Sequence, residues 1–243
     1  MRWSDMEDLD GQYRRLIDAV SRTQVVKAPH QYLHTFGVTR LQYFIVTEPV
    51  YKEVAPGPSE AVIRQGVVTA ERPQVVTPAY MAQLDGFGDD AKAYFNSLAL
   101  RHGANAPGLL YHYKNEPGEM EIVEGAAVEV AQRVSSRLKD ESNNLSVVML
   151  GVDELWDVSL LKFIYEYTAA SVAGNVEELQ SRRLFDPAGE MEAPRAAIQR
   201  IEELFRDTER GADPAILKRE LDRWGLFQHY QDRFFSLFRR KGP

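Results

Sequence analysis

The chain has 243 residues and a formal net charge of -7, and its hydrophobic content of 44% allows a sizeable buried core. It contains no cysteine, which excludes disulfides, thiolate catalysis, cysteine-ligated zinc and iron–sulfur clusters. The acidic balance disfavours non-specific binding to nucleic acid. The N-terminal sequence lacks the apolar segment of a signal peptide, and no window approaches the ~18 apolar residues of a membrane span. We therefore expect a cytoplasmic protein without a transmembrane segment.

The first part of the chain predicts one helix and then a β-rich region. Apolar residues at helical spacing indicate a helix from about Asp8 to Arg22. Tyr32 to Phe36 is ambiguous between a helical turn and the approach to a strand. Val38 to Tyr51 is rich in β-branched and aromatic residues and predicts a long strand, and Ala61 to Thr69 and Gln74 to Thr77 predict two more.

The middle of the chain alternates helical and extended signals. Thr77 followed by Pro78 is typical of a helix start. A second helix is predicted from Ala91 to His102. Leu109 to Tyr113 and Met120 to Val123 flank turn residues, and this pattern predicts a β-hairpin.

Helical signals dominate the remainder. A helix is predicted from Ala126 to Lys139, and Leu145 to Leu150 is a candidate buried strand. After Asp153 the strand signals stop. The next helix is apolar around most of its circumference, which predicts burial on several sides. Three further helices are predicted at Pro194 to Arg210, Pro214 to Trp224 and Leu226 to Arg240.

These elements together predict an α+β fold. We expect a mixed, mostly antiparallel sheet flanked by helices, followed by an all-helical C-terminal region. The predicted domain boundary lies at residue 151, so that residues 1–151 form the mixed body and residues 152–243 form a helical region packed on it.

Two histidines give a weak signal for a metal site. His30 and His34 are four residues apart, and on a helix this spacing would place both imidazoles on one face. A metalloprotease helix needs a glutamate beside the first histidine, but Gln31 occupies that position, and Gly37 would end the helix early. Structural or surface histidines are the simpler interpretation, so we predict no bound metal and no cofactor.

A possible acid–base group involves His102, Tyr111 and His112. Histidine and tyrosine can exchange protons in a pocket between sheet and helices, with carboxylates such as Glu48, Glu53, Glu60 and Glu71 nearby. The alternative is that the aromatic residues form a core face and the glutamates point to solvent from an antiparallel sheet.

Nucleotide-binding and hydrolase motifs are missing from the sequence. Gly86-Phe87-Gly88 contains only the start of a dinucleotide-binding pattern, and neither a P-loop nor a Gly-x-Ser-x-Gly elbow occurs. These absences count against the common cofactor-binding and serine hydrolase folds.

The last predicted helix carries an aromatic stripe formed by Phe227, Tyr230, Phe234 and Phe238. Such a stripe can bind a partner protein or a second copy of the chain, it can lie at a membrane surface, or it can pack on the protein's own helices.

Two functional hypotheses follow from the sequence. The first is a non-catalytic protein that acts through protein–protein contacts as a scaffold or regulatory component. The alternative is an enzyme or small-ligand sensor with a pocket between sheet and helices.

Overall fold

We describe a computed structural model of the chain for residues 3–53, 58–84, 89–141, 143–189 and 191–239. The helices are α1 (Trp3–Arg22), α2 (Pro78–Met81), α3 (Asp89–His102), α4 (Ala127–Asp140), α5 (Trp156–Ser181), α6 (Arg195–Glu209), α7 (Pro214–Arg223) and α8 (Phe227–Arg239). The strands are β1 (Gln24–Lys27), β2 (Thr39–Thr47), β3 (Glu60–Ala70), β4 (Gln74–Val76), β5 (Gly108–Leu110), β6 (Tyr113–Glu124), β7 (Ser146–Leu150), β8 (Pro187–Ala188) and β9 (Met191–Pro194). The fold is α+β, which confirms the predicted class.

The chain forms two compact units, and each contains two segments of the sequence. The first unit contains Met1–Arg72 and His112–Asn175, and the second contains Pro73–Tyr111 and Val176–Pro243. These two units do not correspond to the predicted domains, residues 1–151 and 152–243. The division into those two domains stays a prediction.

The first unit is built on a five-stranded sheet in the order β1-β7-β2-β3-β6. The pairing of β2 with β7 is parallel, and the other three pairings are antiparallel. The sheet is therefore mixed and mostly antiparallel, which agrees with the sequence prediction. The central strand β2 is almost completely buried, with Tyr43, Ile45 and Val46 fully excluded from solvent. A strand covered on both faces needs an almost continuous run of apolar residues, which the sequence of β2 provides.

Helix α4 covers one face of this sheet. Its residues Val130, Val134 and Leu138 recur at helical spacing and are buried against Phe44 of β2 and Val148 of β7. Because neighbouring residues of a strand point to opposite faces, Tyr43 lies on the other side of the sheet from Phe44.

Helix α5 packs on the side of the sheet that carries Tyr43. The rings of Tyr43 and Trp156 are stacked with their centroids 6.5 Å apart. Further along the helix, the hydroxyls of Thr168 and Tyr113 are hydrogen-bonded. Tyr167 donates a hydrogen bond to the backbone oxygen of Gln31. The inner face of α5 is therefore fixed at several points along its length.

The predicted hairpin in the middle of the chain is wrong. Residues Tyr113–Glu124 form the single strand β6, which pairs with β3 along its length, and β5 pairs with β4 instead. Pro117 and Gly118 signalled a turn, but β6 is an edge strand, where a proline need not donate to a neighbour. At this point Gln65 of β3 lies opposite two residues of β6, so the turn signal marks a bulge.

Other elements differ from the sequence prediction in smaller ways. Strand β1 is not among the predicted elements, and the short β8–β9 pair lies where a loop before the C-terminal helices is expected. Strand β2 ends at Thr47, before Pro49, and not at Tyr51. The segment Tyr32 to Phe36 is irregular. The motif Gly86-Phe87-Gly88 lies outside the described residues.

The second unit has its main core among its C-terminal helices. Ile201 and Phe205 of α6 pack with Leu217 and Leu221 of α7, and all four side chains are fully buried. The three predicted C-terminal helices are confirmed to within one or two residues at each end. Thr77 caps α2, since its side chain accepts a hydrogen bond from the backbone N–H of Tyr80.

Replacement of Gly66 by alanine tests the packing of the central strand. A Cβ atom at this position would overlap the Tyr43 ring and the backbone oxygen of Glu116. We expect Gly66→Ala to lower the free energy of unfolding by about 2 kcal/mol, measured by urea denaturation. The control is Gly174→Ala in α5, where a Cβ atom meets no other atom, and this change should stabilise the protein by up to about 1 kcal/mol. Equal stability of the two variants would contradict this packing.

Candidate functional site

The weak candidate for a metal site, His30 with His34, does not have the helix that its spacing would require. His30 and His34 lie in an irregular segment between β1 and β2, and both side chains are exposed. Without a helix, the spacing of four residues does not place the imidazoles on one face. Among the residues that the structure describes, no three histidine, aspartate or glutamate side chains are grouped in a way that could hold a metal ion.

The predicted acid–base group is distributed over both units. His102 is the last residue of α3 and Tyr111 follows β5, and both belong to the second unit. His112 belongs to the first unit, where its backbone oxygen accepts a hydrogen bond from the N–H of Glu71. Both histidine side chains are exposed, and Tyr111 is half-buried. A shared catalytic role for these residues stays a prediction.

The four glutamates predicted near the sheet have different environments. Glu48 and Glu71 are exposed. Glu60 is half-buried and accepts a hydrogen bond of 2.6 Å from the hydroxyl of Tyr51. The Glu53 side chain lies outside the described part of the structure.

The C-terminal aromatic stripe is used mainly for internal packing. Tyr230 and Phe234 are buried in the core of the second unit, and Phe227 is half-buried against it. Among the four predicted contact residues, only Phe238 is exposed. The rings of Phe234 and Phe238 meet edge to face, with their centroids 5.5 Å apart. Partner binding through this stripe stays a prediction.

A crevice of about 330 Å³ opens at the carboxyl ends of the parallel strands β2 and β7. In open sheets, ligands commonly bind at this edge. Glu48 directly follows β2, and Asp153 lies shortly after the end of β7. The crevice is also lined by Arg22 and by Val128 of α4. The crevice therefore lies where a ligand site is common. Whether its carboxylates could act as proton acceptors depends on the groups around them.

Asp153 is held firmly by its neighbours. Its carboxylate accepts hydrogen bonds from the hydroxyl of Thr47 at 2.8 Å, from Arg64 at 2.5 Å and from the backbone N–H of Val50 at 3.3 Å. Burial opposes ionisation, but these hydrogen bonds and the Arg64 charge outweigh it and lower the pKa of Asp153. A carboxylate with several donors and a low pKa is a poor proton acceptor. We therefore assign Asp153 a structural role.

A second cavity, of about 470 Å³, lies within the second unit. Its walls come from α2, from the segment before β5, from β9 and from the turn between α7 and α8. The lining residues are Thr77, Ala79, Tyr80, Asn105, Met191, Ala193, Arg223, Trp224, Gly225, Leu226 and His229. The volume falls within the range of small-molecule sites.

A buried carboxylate supports the aromatic wall of this cavity. Glu220 of α7 is only 7% exposed. It accepts hydrogen bonds of 3.1 Å from the hydroxyl of Tyr80, from the indole N–H of Trp224 and from the amide of Gln74. Burial and then the Glu220 charge raise the pKa of Tyr80, against the opposing effect of Arg223. Tyr80 therefore stays a neutral hydrogen-bond donor at ordinary pH.

Helix α5 carries an exposed apolar surface. Its inner face contains the buried residues Leu160, Phe163 and Tyr167. On the opposite side, Leu161, Tyr165, Ala169 and Val172 are exposed and follow one another at helical spacing. We call these four residues the outer face of α5. All of them belong to the first unit.

Sequence reasoning missed Glu220 and misinterpreted α5, although both left a signal. Glu220 lies three residues after Leu217 and four before Trp224, so the helical repeat places it on the apolar side of α7. The apolar residues around most of the circumference of α5 predict a helix that is buried on several sides. Two opposite apolar faces, with only one of them covered, give the same pattern.

The comparisons with known proteins give no functional information. No family model matches the sequence, and no significant match was found among curated proteins or solved structures. Within the described residues, no helix has the length and apolar character needed to cross a membrane.

The pH dependence of stability tests the environment of Asp153. Because its pKa is lowered in the folded protein, the carboxylate stabilises the fold above its unfolded pKa of about 3.9. This contribution is lost as the pH falls through the lowered, folded value. We expect Asp153→Asn to cost about 2 kcal/mol at neutral pH and to weaken the loss of stability below about pH 4, in urea denaturation at several pH values.

The matched control is Asp18→Asn in α1. Asp18 forms an exposed ion pair with Arg22 in the same unit, and such pairs contribute about 0–1 kcal/mol. A larger effect of the Asp18 change than of the Asp153 change would contradict the assignment.

Proposed function

We propose that the protein acts through protein–protein contact and that the outer face of α5 is its contact surface. The observation that carries the proposal is the exposure of Leu161, Tyr165 and Val172, which are 65%, 76% and 36% exposed, on the side of the helix opposite to its buried face. A cytosolic location is part of this proposal, and the absence of cysteine is compatible with it.

The arrangement of these residues distinguishes them from ordinary exposed apolar residues. Single exposed leucines or tyrosines are common on any protein surface. A continuous apolar strip along three turns of one helix is unusual and is typical of an interaction surface. Tyrosine is also one of the residues that most often contribute a large share of the binding energy at the centre of an interface.

A second copy of the chain is the partner that fits this face best. The face is bulky at Leu161 and Tyr165 and small at Ala169. If two copies of α5 pair in antiparallel orientation, Tyr165 of one copy lies on Ala169 of the other, and Leu161 lies opposite Val172. Large residues then meet smaller ones, so the face is complementary to itself, which is what a two-fold symmetric interface requires.

The charged residues beside the face are compatible with close packing. Lys162 and Glu166 form an ion pair of 2.8 Å within α5. Their charges therefore compensate each other at the rim, where an interface is usually polar. No acidic or basic residue interrupts the outer face itself.

Contact through the C-terminal helix is the competing version of the same hypothesis. It has less support, because Tyr230 and Phe234 would have to leave the core of the second unit to reach a partner. Of the four residues of the stripe, only Phe238 could contribute without such a rearrangement.

Substitution of Tyr165 tests the proposal. We expect the intact protein to be a dimer in analytical ultracentrifugation. Tyr165→Glu should raise the dimer dissociation constant by at least about tenfold, because it removes a large apolar contact and introduces an unpaired charge at its centre. Circular dichroism should show an unchanged fold, since the side chain is exposed.

Two control variants make the result specific. Ile122→Glu introduces the same charge at an exposed apolar position on β6 and should leave the dimer intact. Phe238→Glu tests the competing C-terminal surface. A protein that is monomeric at all concentrations, or a dimer that dissociates with Phe238→Glu but not with Tyr165→Glu, would overturn the proposal.

A further inference from the structure

Strand β6 lies at an edge of the five-stranded sheet. Of the strands that the structure describes, only β3 pairs with it. Residues 117–122 are all exposed. The C-terminal end of the strand is occupied, because Arg133 of α4 donates a hydrogen bond of 2.9 Å to the backbone oxygen of Glu124. We call residues 119–123 the open edge of β6, since outward N–H and C=O groups on an edge strand can pair with another strand.

The open edge has the regular geometry that strand pairing requires. The bulge opposite Gln65 ends before Met120, and from Met120 to Glu124 each residue of β6 is in register with one residue of β3. Pro117 lies before the bulge, so it does not interrupt this part of the strand. An added strand binds to such an edge by backbone hydrogen bonds, and its alternate side chains determine which sequence is accepted.

The side chains of the open edge form one apolar row and one acidic row. Met120 and Ile122 point to one face of the sheet and are 61% and 56% exposed. Glu119 and Glu121 are exposed and point to the opposite face. Val123 shares that face and packs on the core beneath α4. A strand added at this edge would place its own alternate side chains beside the two rows.

The acidic row is the part of β6 whose charge is not compensated. Glu116, nearer the start of the strand, is ion-paired with Lys114 at 2.7 Å and with Arg40 at 3.6 Å. Glu119 and Glu121 form no ion pair with another side chain in the described part of the chain. A second copy of β6 would bring glutamates beside glutamates, and like charges on neighbouring strands destabilise their pairing. The strand that fits this edge is therefore basic on the acidic side.

We propose that the open edge of β6 binds an extended peptide segment of another protein, in which basic residues alternate with apolar residues. The segment adds a further strand to the sheet. Its basic side chains lie beside Glu119 and Glu121, and its apolar side chains lie beside Met120 and Ile122. Backbone hydrogen bonds supply affinity, and the two rows supply selectivity. This surface is separate from the outer face of α5, so the two proposals are tested independently.

A short peptide of alternating lysine and valine, with acetylated and amidated ends, tests the proposal on the intact protein. Fluorescence anisotropy of the labelled peptide gives its affinity. We expect it to bind at least about tenfold more tightly than a peptide with glutamate in place of lysine. A version with N-methylated backbone amides has the same charges but cannot donate to the edge, and it should bind at least about tenfold more weakly. Bound lysine–valine peptide should also slow hydrogen exchange in residues 119–123.

Variants of the strand locate the site. Glu119→Lys combined with Glu121→Lys should weaken binding of the lysine–valine peptide at least about tenfold, because attraction becomes repulsion. Circular dichroism should show an unchanged fold, since both side chains are exposed. The matched control combines Asp140→Lys with Glu141→Lys, which makes the same change of charge at exposed positions at the end of α4. At physiological ionic strength it should change the affinity by less than about twofold, and so should Tyr165→Glu.

Failure of the lysine–valine peptide to bind at millimolar concentration would overturn the proposal. Equal binding of the N-methylated peptide, or unchanged hydrogen exchange in residues 119–123, would also overturn it, because both indicate attraction by charge without strand pairing. Equal loss of binding in the α4 control would place the peptide elsewhere. Peptide binding that requires a dimer to dissociate at β6 would assign the open edge to a second copy of the chain.

Discussion

An α-helix has a limited circumference, and the side that packs on a sheet cannot also face outward. In α5 the packed side is determined by the stacking of Trp156 on Tyr43, by the hydrogen bond between Thr168 and Tyr113 and by the burial of Phe163 and Tyr167. A rotation of the helix that covered Tyr165 would break all of these contacts. The exposure of the outer face is therefore a consequence of how the first unit folds, and the proposed contact surface depends on it.

The start of α5 is fixed by the parallel pairing of β2 with β7. This pairing brings the ends of the two strands to one edge of the sheet, where Asp153 bonds to Thr47 at the end of β2 and to Arg64 of β3. Three residues later the helix begins at Trp156. The Asp153 carboxylate, which lines the crevice, thus joins the sheet to the start of α5. The hydrogen bonds that make this connection also lower its pKa.

The sequence predicted the helices and strands better than it predicted which of them pair or pack together. The periodic patterns of α4 and of the C-terminal helices were sufficient, because local spacing determines which side of a helix is buried. Pro117 was misleading because an edge strand tolerates proline, and the edge position of β6 depends on strands distant in sequence. The candidate sites were harder to predict. The burial of Glu220 depends on Gln74 and Tyr80, which are far away in the chain, and the apolar circumference of α5 did not show which of its faces was covered.

Cross-linking at Ala169 tests the central claim most directly. The chain contains no cysteine, so Ala169→Cys provides a single reactive thiol on the outer face of α5. The proposed dimer places this residue close to its counterpart in the second copy, and a short bis-maleimide should therefore give a covalent dimer in high yield. Gln132→Cys, at an exposed position of α4, should give little. Equal cross-linking at the two positions, or none at Ala169, would contradict the account.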